Sequence, residues 1–222
     1  MRIAVTGSAC QGKSTLIQDM LKEWPSMTVP ESSYRDIIKN NSQSHSKHTD
    51  EDTQWKILNH MCETQQQYRK NDNVIFDRCP LDNIVYSMWA NFHGNISDEF
   101  IEKCIPIVSE SMRFIDIIFF LPITSVAPVN IEEKDDNTRD VDVEYIKEID
   151  SLIKTMYKQW QSESSPFFPK NDTPAMIEIF GNRLERIEML KLYIDSDGDA
   201  ISEGGIINPG EIEDLQKMFG IS

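Results

Sequence analysis

The sequence lacks any long apolar run, and it has few cysteines. No apolar stretch approaches the roughly 20 residues that a bilayer-spanning helix needs. The N-terminal MRIAVTG is too short, and too soon followed by polar residues, for a signal peptide. The four cysteines form no CxxC pair and show no spacing typical of a disulfide framework. We therefore expect reduced thiols in a cytoplasmic protein that has no membrane segment.

Basic residues are also scarce. The 222-residue chain has 22 Lys and Arg against 37 Asp and Glu, a formal net charge of −15, and its longest charge run is the acidic EEKDD at 132–136. A protein that grips a nucleic-acid backbone usually presents a basic stripe that displaces counterions. The composition therefore argues against an extended nucleic-acid groove. It stays compatible with a local basic pocket for a small phosphorylated ligand, or for one flipped nucleotide.

Short apolar runs alternate with longer amphipathic stretches. The runs lack the polar–apolar alternation of half-exposed strands, which indicates a parallel sheet buried on both faces. These strand candidates are 2–6, 27–30, 73–77, 115–121 and 175–180. The helical patterns between them cover about 14–24, 52–70, 80–92, 98–113, 141–160 and 183–194. This order predicts an α/β fold, a doubly wound five-stranded parallel sheet flanked by helices.

The chain is long enough for one sizeable core. We expect one domain over residues 1–194 and a C-terminal extension over 195–222. Two polar stretches, at 40–52 and 125–140, are typical of loops, and the first is expected beside a substrate site.

The strongest motif lies in AVTGSACQGKST, residues 4–15, which matches G-x-x-x-x-G-K-[ST] at every position between a predicted strand and a predicted helix. Its glycines let the backbone turn its N–H groups toward phosphate oxygens, and the helix start adds the positive end of a dipole. In such a loop Lys13 reaches the β- and γ-phosphates and Ser14 ligates Mg²⁺. We predict ATP and Mg²⁺ as cofactors, with the nucleotide bound by Gly7, Ser8, Ala9, Cys10, Gln11, Gly12, Lys13, Ser14 and Thr15.

Charged residues also follow two of the predicted strands, at the carboxyl ends where doubly wound sheets bind ligands. Glu31 follows the second strand in VPESSYR, and Asp77 and Arg78 follow the third in VIFDRCPLDN. A carboxylate there can hold the Mg²⁺ shell or take a proton from an acceptor hydroxyl. An adjacent arginine can neutralise charge on a transferred phosphoryl group. The alternative is a structural ion pair between Asp77 and Arg78.

Candidate acceptor-binding residues follow from helix spacing. Gln54 and Gln65 share one face of the predicted helix over 52–70, where two amides could read the hydrogen-bonding edge of a base. Arg35, four residues after Glu31, could hold an acceptor phosphate or simply pair with that glutamate. Arg78 and Glu31 complete the predicted acceptor site.

Together these motifs resemble the P-loop nucleoside and nucleotide kinases. VPESSYRD, VIFDRCPLDN, DDNTRDVDVEY and IEIFGNRLERI look most like the deoxynucleoside kinases and the AAA-type ATPase domain of nicotinamide riboside kinases and their viral cousins. The resemblance covers residues 1 to about 194 and implies a P-loop kinase domain with a lid at about 125–140. It also implies that the FGNR turn, with Gly181 and Asn182, faces the adenine of ATP.

The resemblance further implies roles for the charged residues. Glu31 would be the general base on the acceptor hydroxyl, Asp77 would serve Mg²⁺, and Arg78 would contact the phosphates. Arg139 would be the lid arginine that closes over the γ-phosphate. The sequence departs from the family pattern in having a single arginine in the lid, and a cysteine and a proline where serine usually follows the Asp-Arg pair.

We therefore expect an ATP-dependent phosphotransferase that moves the γ-phosphate to a hydroxyl or phosphate of a nucleoside, nucleoside monophosphate or related nucleotide. Two alternatives stay open: a kinase acting on a hydroxymethylated base within DNA, and a nucleotide-switch ATPase with a protein partner. The expected partner is a small-molecule acceptor, and the predicted helix over 80–92 could serve a homodimer.

Overall fold

A computed structural model describes residues 1–40, 49–125, 142–160, 162 and 165–201. Within this part of the chain, four parallel strands form the central sheet in the order β2-β1-β3-β4. They are β1 Arg2–Thr6, β2 Val74–Asp77, β3 Ile117–Phe120 and β4 Ala175–Glu178. Strand β1 lies in the middle, where Ile3 pairs with Ile75 of β2 on one side and with Ile117 of β3 on the other.

The predicted strand over 27–30 is reduced to a single bridge. Thr28 pairs with Val74 in parallel at the free edge of β2, through hydrogen bonds of 2.9 Å to the Asn73 carbonyl and 2.8 Å from the Ile75 N–H. Pro30 has no N–H, so it cannot extend this ladder. The prediction of five strands is therefore corrected to four described strands and one bridge.

Helices cover both faces of the sheet. They are α1 Lys13–Glu23, α2 Tyr34–Asn40, α3 Glu51–Gln66, α4 Pro80–Phe92, α5 Asp98–Ser111, α6 Val143–Trp160 and α7 Arg183–Leu190. Because successive strand residues point to opposite faces, Ala4 joins an apolar cluster with α3 to α6, and Ile3 and Val5 join another with α1 and α7. The doubly wound α/β architecture predicted from the sequence is confirmed.

The predicted helix over 80–92 is largely buried, and most of the predicted lid lies outside the part of the chain that the structure describes. Helix α4 contacts α3, α5 and α6, and most of its residues are buried. Its role in a homodimer stays a prediction. Most of the predicted lid, including Arg139, lies outside the described residues. None of the described helices is both long and apolar enough to cross a membrane.

The predicted C-terminal extension begins as part of the domain surface. The Trp24 indole donates a 2.6 Å hydrogen bond to the carbonyl of Asp195, and Ser26 donates one of 2.7 Å to the carbonyl of Asp197. An antiparallel bridge joins Ile194 to Ala200. The boundary at residue 194 stays a prediction, and the residues just after it pack against the end of α1.

Candidate functional site

The phosphate loop, the G-x-x-x-x-G-K-[ST] segment at 7–14, connects the carboxyl end of β1 to α1, and its backbone requires glycine at position 7 and favours it at position 12. Gly7 has a φ of +146°, and a β-carbon there would lie 2.8 Å from the Leu121 carbonyl oxygen. Gly12 has a φ of +77° and forms the N-cap of α1. Cys10 also has a positive φ, of 62°. The turn therefore leads into the unsatisfied N–H groups at the start of α1, which is the arrangement that binds phosphate.

Lys13 lies buried inside this loop. Its Nζ donates a 2.5 Å hydrogen bond to the carbonyl of Ser8. Burial, followed by the charge of Arg78, lowers the pKa of Lys13 to about 7, although the carboxylates of Asp77 and Asp82 act in the opposite direction. A phosphate anion would supply the counter-charge that this buried ammonium group needs.

A cavity of about 370 Å³ opens in front of the loop. Its wall brings together residues of the loop, α1, α2, α3, α4 and α6. Among the predicted site residues it contains Ala9, Cys10, Gln11, Gly12, Lys13, Ser14, Thr15, Arg35, Gln54 and Arg78. The sequence prediction therefore identified a set of residues that the fold gathers around one space.

Arg35 connects the two predicted Mg²⁺ ligands. Its Nη2 lies 3.1 Å from Asp77 Oδ2 and 3.3 Å from the hydroxyl of Ser14. The other carboxylate oxygen, Asp77 Oδ1, is buried and has no hydrogen-bond partner among the described residues. The Arg35 guanidinium thus lies between a carboxylate and a hydroxyl, oxygen groups of the type that Mg²⁺ prefers. Asp77 pairs with Arg35 rather than with its neighbour in sequence.

Arg78 is held by a network that shares the Tyr34 hydroxyl with Arg35. Its φ is +78°, unusual for a residue other than glycine. Its guanidinium donates at 3.0 Å to each of the Tyr34 and Tyr86 hydroxyls. The same group donates to the Gly7 carbonyl at 3.2 Å and to Asp82 Oδ1 at 2.8 Å. These contacts fix the guanidinium against the phosphate loop.

Asp82 is the charged residue that the sequence analysis missed. It is only 1% exposed, and it also accepts hydrogen bonds from the Thr6 hydroxyl and the Cys79 N–H. The sequence did contain a signal for it, because Arg78 and Asp82 are four residues apart at the start of a helix and such positions are neighbours. The alternative of a structural Asp77–Arg78 ion pair is not found, since Asp77 pairs with Arg35 and Arg78 pairs with Asp82.

Amide side chains form the wall opposite the loop. Asn83 donates to Gln54 Oε1 at 2.6 Å, and Gln54 donates to the Thr49 hydroxyl at 2.8 Å. Asn83 Oδ1 is buried and has no partner in the described part of the chain. Gln65 does not line this cavity. Helix α3 rises about 1.5 Å per residue, so 11 residues separate the two glutamines by about 16 Å.

The predicted adenine turn lies beside the loop. Asn182 is the N-cap of α7 and accepts hydrogen bonds from the N–H groups of Leu184 and Glu185. Arg186 joins this turn to the loop, because its guanidinium donates to the carbonyls of Gly181 at 3.0 Å and Gln11 at 2.7 Å.

Glu31 lies apart from these residues. Its side chain is exposed, and it is not among the residues that line the cavity. Its charge contributes, after burial, to raising the pKa of Tyr68 at the end of α3. The segment that follows it, Tyr34 and Arg35, does reach the cavity.

A family model of AAA domains matches residues 2–166, well over half of the 222-residue chain. The chain belongs to the AAA domain family. The comparison of this AAA domain protein with curated proteins gives no match.

Several solved structures, including two kinases, have the same fold as this AAA domain protein. Deoxyadenosine kinase from M. mycoides, with dCMP and dCDP, matches at TM-score 0.62 and 17% identity over 86% of this chain and 96% of that one. NadR in complex with NR matches at TM-score 0.61 and 14% identity over 91% of this chain and 53% of that one, so our chain spans about half of NadR. Thymidylate kinase from Candida albicans matches at TM-score 0.56 and 13% identity over 91% and 95%.

Proposed function

We propose that this AAA domain protein is an ATP-dependent phosphotransferase that moves the γ-phosphate to a hydroxyl or phosphate of a nucleoside, nucleoside monophosphate or related nucleotide. One observation carries the proposal: the phosphate loop and a wall of amide and tyrosine side chains line the same cavity. A site that only bound or hydrolysed ATP would have no need of a second, hydrogen-bonding wall facing the phosphates.

The loop, Lys13 and the turn at Gly181 and Asn182 form the ATP side of the proposed site. The loop N–H groups and the Lys13 ammonium would bind the β- and γ-phosphates. Arg186 ties the predicted adenine turn to the carbonyl of Gln11 at 2.7 Å, so base and phosphates would be bound by one connected unit.

Ser14 and Asp77 would hold Mg²⁺. The residues fit the ion, since they offer a hydroxyl and a carboxylate, and Asp77 Oδ1 is buried with no described partner. The bound ion would neutralise charge that develops on the transferred phosphoryl group. Arg35 contacts both ligands, so its guanidinium must leave one of them when the ion binds.

The side-chain amides of Gln54 and Asn83 would recognise the acceptor. With Gln54 Oε1 occupied by Asn83, a ligand meets the free Asn83 Oδ1 as an acceptor and the second N–H of Gln54 as a donor. A nucleobase edge presents the matching donor and acceptor side by side. Two structural neighbours bind small ligands, dCMP in deoxyadenosine kinase and NR in NadR, and these support a small-molecule acceptor here.

Glu31 and Arg139 keep their predicted roles within this proposal. Glu31 would take the proton of the acceptor hydroxyl, which requires the segment before α2 to move toward the cavity. Arg139, from the predicted lid, would close over the γ-phosphate. Removal of the Glu31 carboxylate should therefore abolish transfer to a hydroxyl without loosening ATP binding.

The experiment is transfer of labelled γ-phosphate from ATP to a panel of nucleosides, nucleoside monophosphates, nicotinamide riboside and a hydroxymethyluracil oligonucleotide. We expect transfer to a free nucleoside or nucleotide. Lys13→Ala and Glu31→Gln should abolish it, whereas Lys22→Ala, a change of an exposed lysine on the same helix, should not. Labelling of the oligonucleotide alone would favour the DNA-base kinase instead.

The nucleotide-switch alternative draws support from Glu31. An exposed carboxylate outside the cavity is available to a protein partner, and it is not yet placed to activate a bound acceptor. In that case ATP hydrolysis would proceed at the same rate with every acceptor on the panel, and Glu31→Gln would leave it unchanged.

A further inference from the structure

A second cavity, of about 320 Å³, adjoins the first. It lies between α1, the segment before α2, α3 and the end of β2. The residues that line both cavities are Ser14, Gln18, Tyr34, Arg35, Met61 and Arg78. Its volume is near the lower end of the range of about 300–1,000 Å³ for small-molecule pockets.

Gln65 is the main polar feature of this second cavity. It is 1% exposed, and neither its Nε2 nor its Oε1 has a hydrogen-bond partner among the described residues. Gln54 on the same helix differs, since both of its amide atoms are bonded, to Thr49 and Asn83. Buried amides are nearly always hydrogen-bonded in folded proteins. The Gln65 amide therefore lacks a partner that a molecule inside the cavity would supply.

Two other wall residues have buried polar atoms of the same kind. His60 Nε2 and Asp77 Oδ1 lack partners in the described part of the chain. The two arginines in the wall are already paired, Arg35 with Asp77 and Arg78 with Asp82. Much of the remaining wall is apolar, formed by Ile17, Leu21, Val29, Pro30, Met61, Ile75 and Phe76.

These features define the chemistry of an occupant. A primary amide offers a donor and an acceptor side by side, so its complement is a planar ring that carries an adjacent acceptor and donor. Apolar walls suit the faces of such a ring. A phosphate would find no unpaired arginine, and it would lie close to the Asp77 carboxylate.

We propose that the second cavity is a binding site for an uncharged nucleobase-type ring, held by Gln65 and separate from the acceptor site at Gln54. The occupant is a free base or the base of a nucleoside rather than a nucleotide. The site does not depend on phosphoryl transfer, so it goes beyond the proposed function. Its occupant would lie beside Arg35, the residue that contacts both predicted Mg²⁺ ligands.

The test is calorimetric titration of adenine, cytosine, uracil and hypoxanthine into the full-length protein, without ATP or Mg²⁺, up to about 10 mM, where weak binding of ring-sized ligands is detected. The matched variants are Gln65→Leu and Gln66→Leu. Both remove an amide from α3, but Gln66 is exposed and lines neither cavity. We expect at least one base to bind the wild-type protein and Gln66→Leu alike. Gln65→Leu should weaken that binding by about tenfold or more.

Three results would overturn the proposal. The first is no binding of any base, which leaves the cavity to water. The second is unchanged binding in Gln65→Leu, which would place the base elsewhere, such as in the first cavity. The third is an equal loss in Gln65→Leu and Gln66→Leu, which would show that the buried amide has no special role. Gln65→Leu exchanges an unpaired buried amide for an apolar group and should not impair folding, which thermal unfolding verifies. Leu21→Trp, a change in a residue of the second cavity only, should block the same binding by filling the space.

Because ATP and Mg²⁺ are absent from this titration, its result is independent of the kinase assay. If a base binds through Gln65 but the protein has no transferase activity, the site in the second cavity is supported and the proposed function is refuted. If the protein transfers phosphate but no base binds through Gln65, the proposed function is supported and the site in the second cavity is refuted.

Discussion

The guanidinium of Arg35 lies 3.1 Å from the carboxylate of Asp77, and the same nitrogen lies 3.3 Å from the hydroxyl of Ser14. A positively charged side chain thus contacts both groups that the sequence predicts as Mg²⁺ ligands. Neither partner is fully buried, with 34% of the Arg35 side chain and 23% of the Asp77 side chain exposed. The contact is therefore weak enough for a divalent ion to replace it.

Arg35→Gln should tighten Mg²⁺ binding to the protein saturated with a non-hydrolysable ATP analogue. The expected gain is roughly fivefold, because a partly exposed ion pair contributes up to about 1 kcal/mol. Isothermal titration of Mg²⁺ measures it. Arg35→Lys keeps a cation beside Asp77 and should shift the affinity less. Weaker Mg²⁺ binding in Arg35→Gln would show that the guanidinium assists the ion rather than competes with it.

Gly7→Ala should destabilise the fold and abolish ATP binding. The φ of +146° is strained for alanine, and its β-carbon would lie 2.8 Å from the Leu121 carbonyl, a backbone atom that cannot turn aside. We expect a loss of about 3 kcal/mol in the free energy of unfolding, measured by urea denaturation. Gly94→Ala is the matched control, with a φ of +78° and nothing within 4 Å of the added carbon, and should cost about 1 kcal/mol. Equal losses would refute the clash.

Asp82→Ala should destabilise the protein by about 3–5 kcal/mol, since it leaves the buried Arg78 guanidinium without its carboxylate. Asp52→Ala breaks a pair with the same i,i+4 spacing, to Lys56, but on an exposed surface. It should cost no more than about 1 kcal/mol. Thermal unfolding of the two variants compares their losses of stability directly. Similar losses would mean that the buried ion pair of Arg78 stabilises the fold no more than an exposed one.

Cys10 should react with iodoacetamide at pH 8 before the other cysteines do. Burial raises the pKa of Cys62 and of Cys104 from 9.0 to about 11, so at pH 8 their thiolate fraction falls by about 100-fold. Their labelling should continue to rise with pH up to about 11. Cys10 lines the phosphate-loop cavity, so an ATP analogue should slow its labelling. Mass spectrometry identifies the sites, and early labelling of Cys62 would contradict this order.

The sequence predicts the sheet and the phosphate loop well, because both depend on local features. Apolar runs without alternation correctly indicate buried parallel strands, and the glycine spacing correctly indicates a turn into α1. Helix α2 was missed, since Tyr34–Asn40 has only seven residues and shows no clear apolar stripe. The edge strand was overestimated because its fourth residue is Pro30, and the three residues before it form only one bridge.

The site was predicted less completely, since it depends on contacts between distant segments. The sequence left an ion pair between Asp77 and Arg78 open as an alternative, whereas the fold gives each residue a different partner. Arg78 has a positive φ, and its side chain contacts the phosphate loop at the Gly7 carbonyl. A sequence does not reveal the backbone conformation of a single residue, so this contact could not be predicted. Likewise, Gln54 and Gln65 share a helix face, but three turns of helix carry them to different cavities.

The central position of β1 has a consequence for how the protein is made. Arg2–Thr6 is fully buried and is synthesised before both of its hydrogen-bonding neighbours, Val74–Asp77 and Ile117–Phe120. The ribosome must therefore reach Ile117–Phe120 before this strand gains its second neighbour. Until then an apolar segment with two open edges stays exposed, and such segments attract chaperones or aggregate. Long-range pairing of this kind also makes refolding slow, so low temperature during expression should raise the yield of native protein.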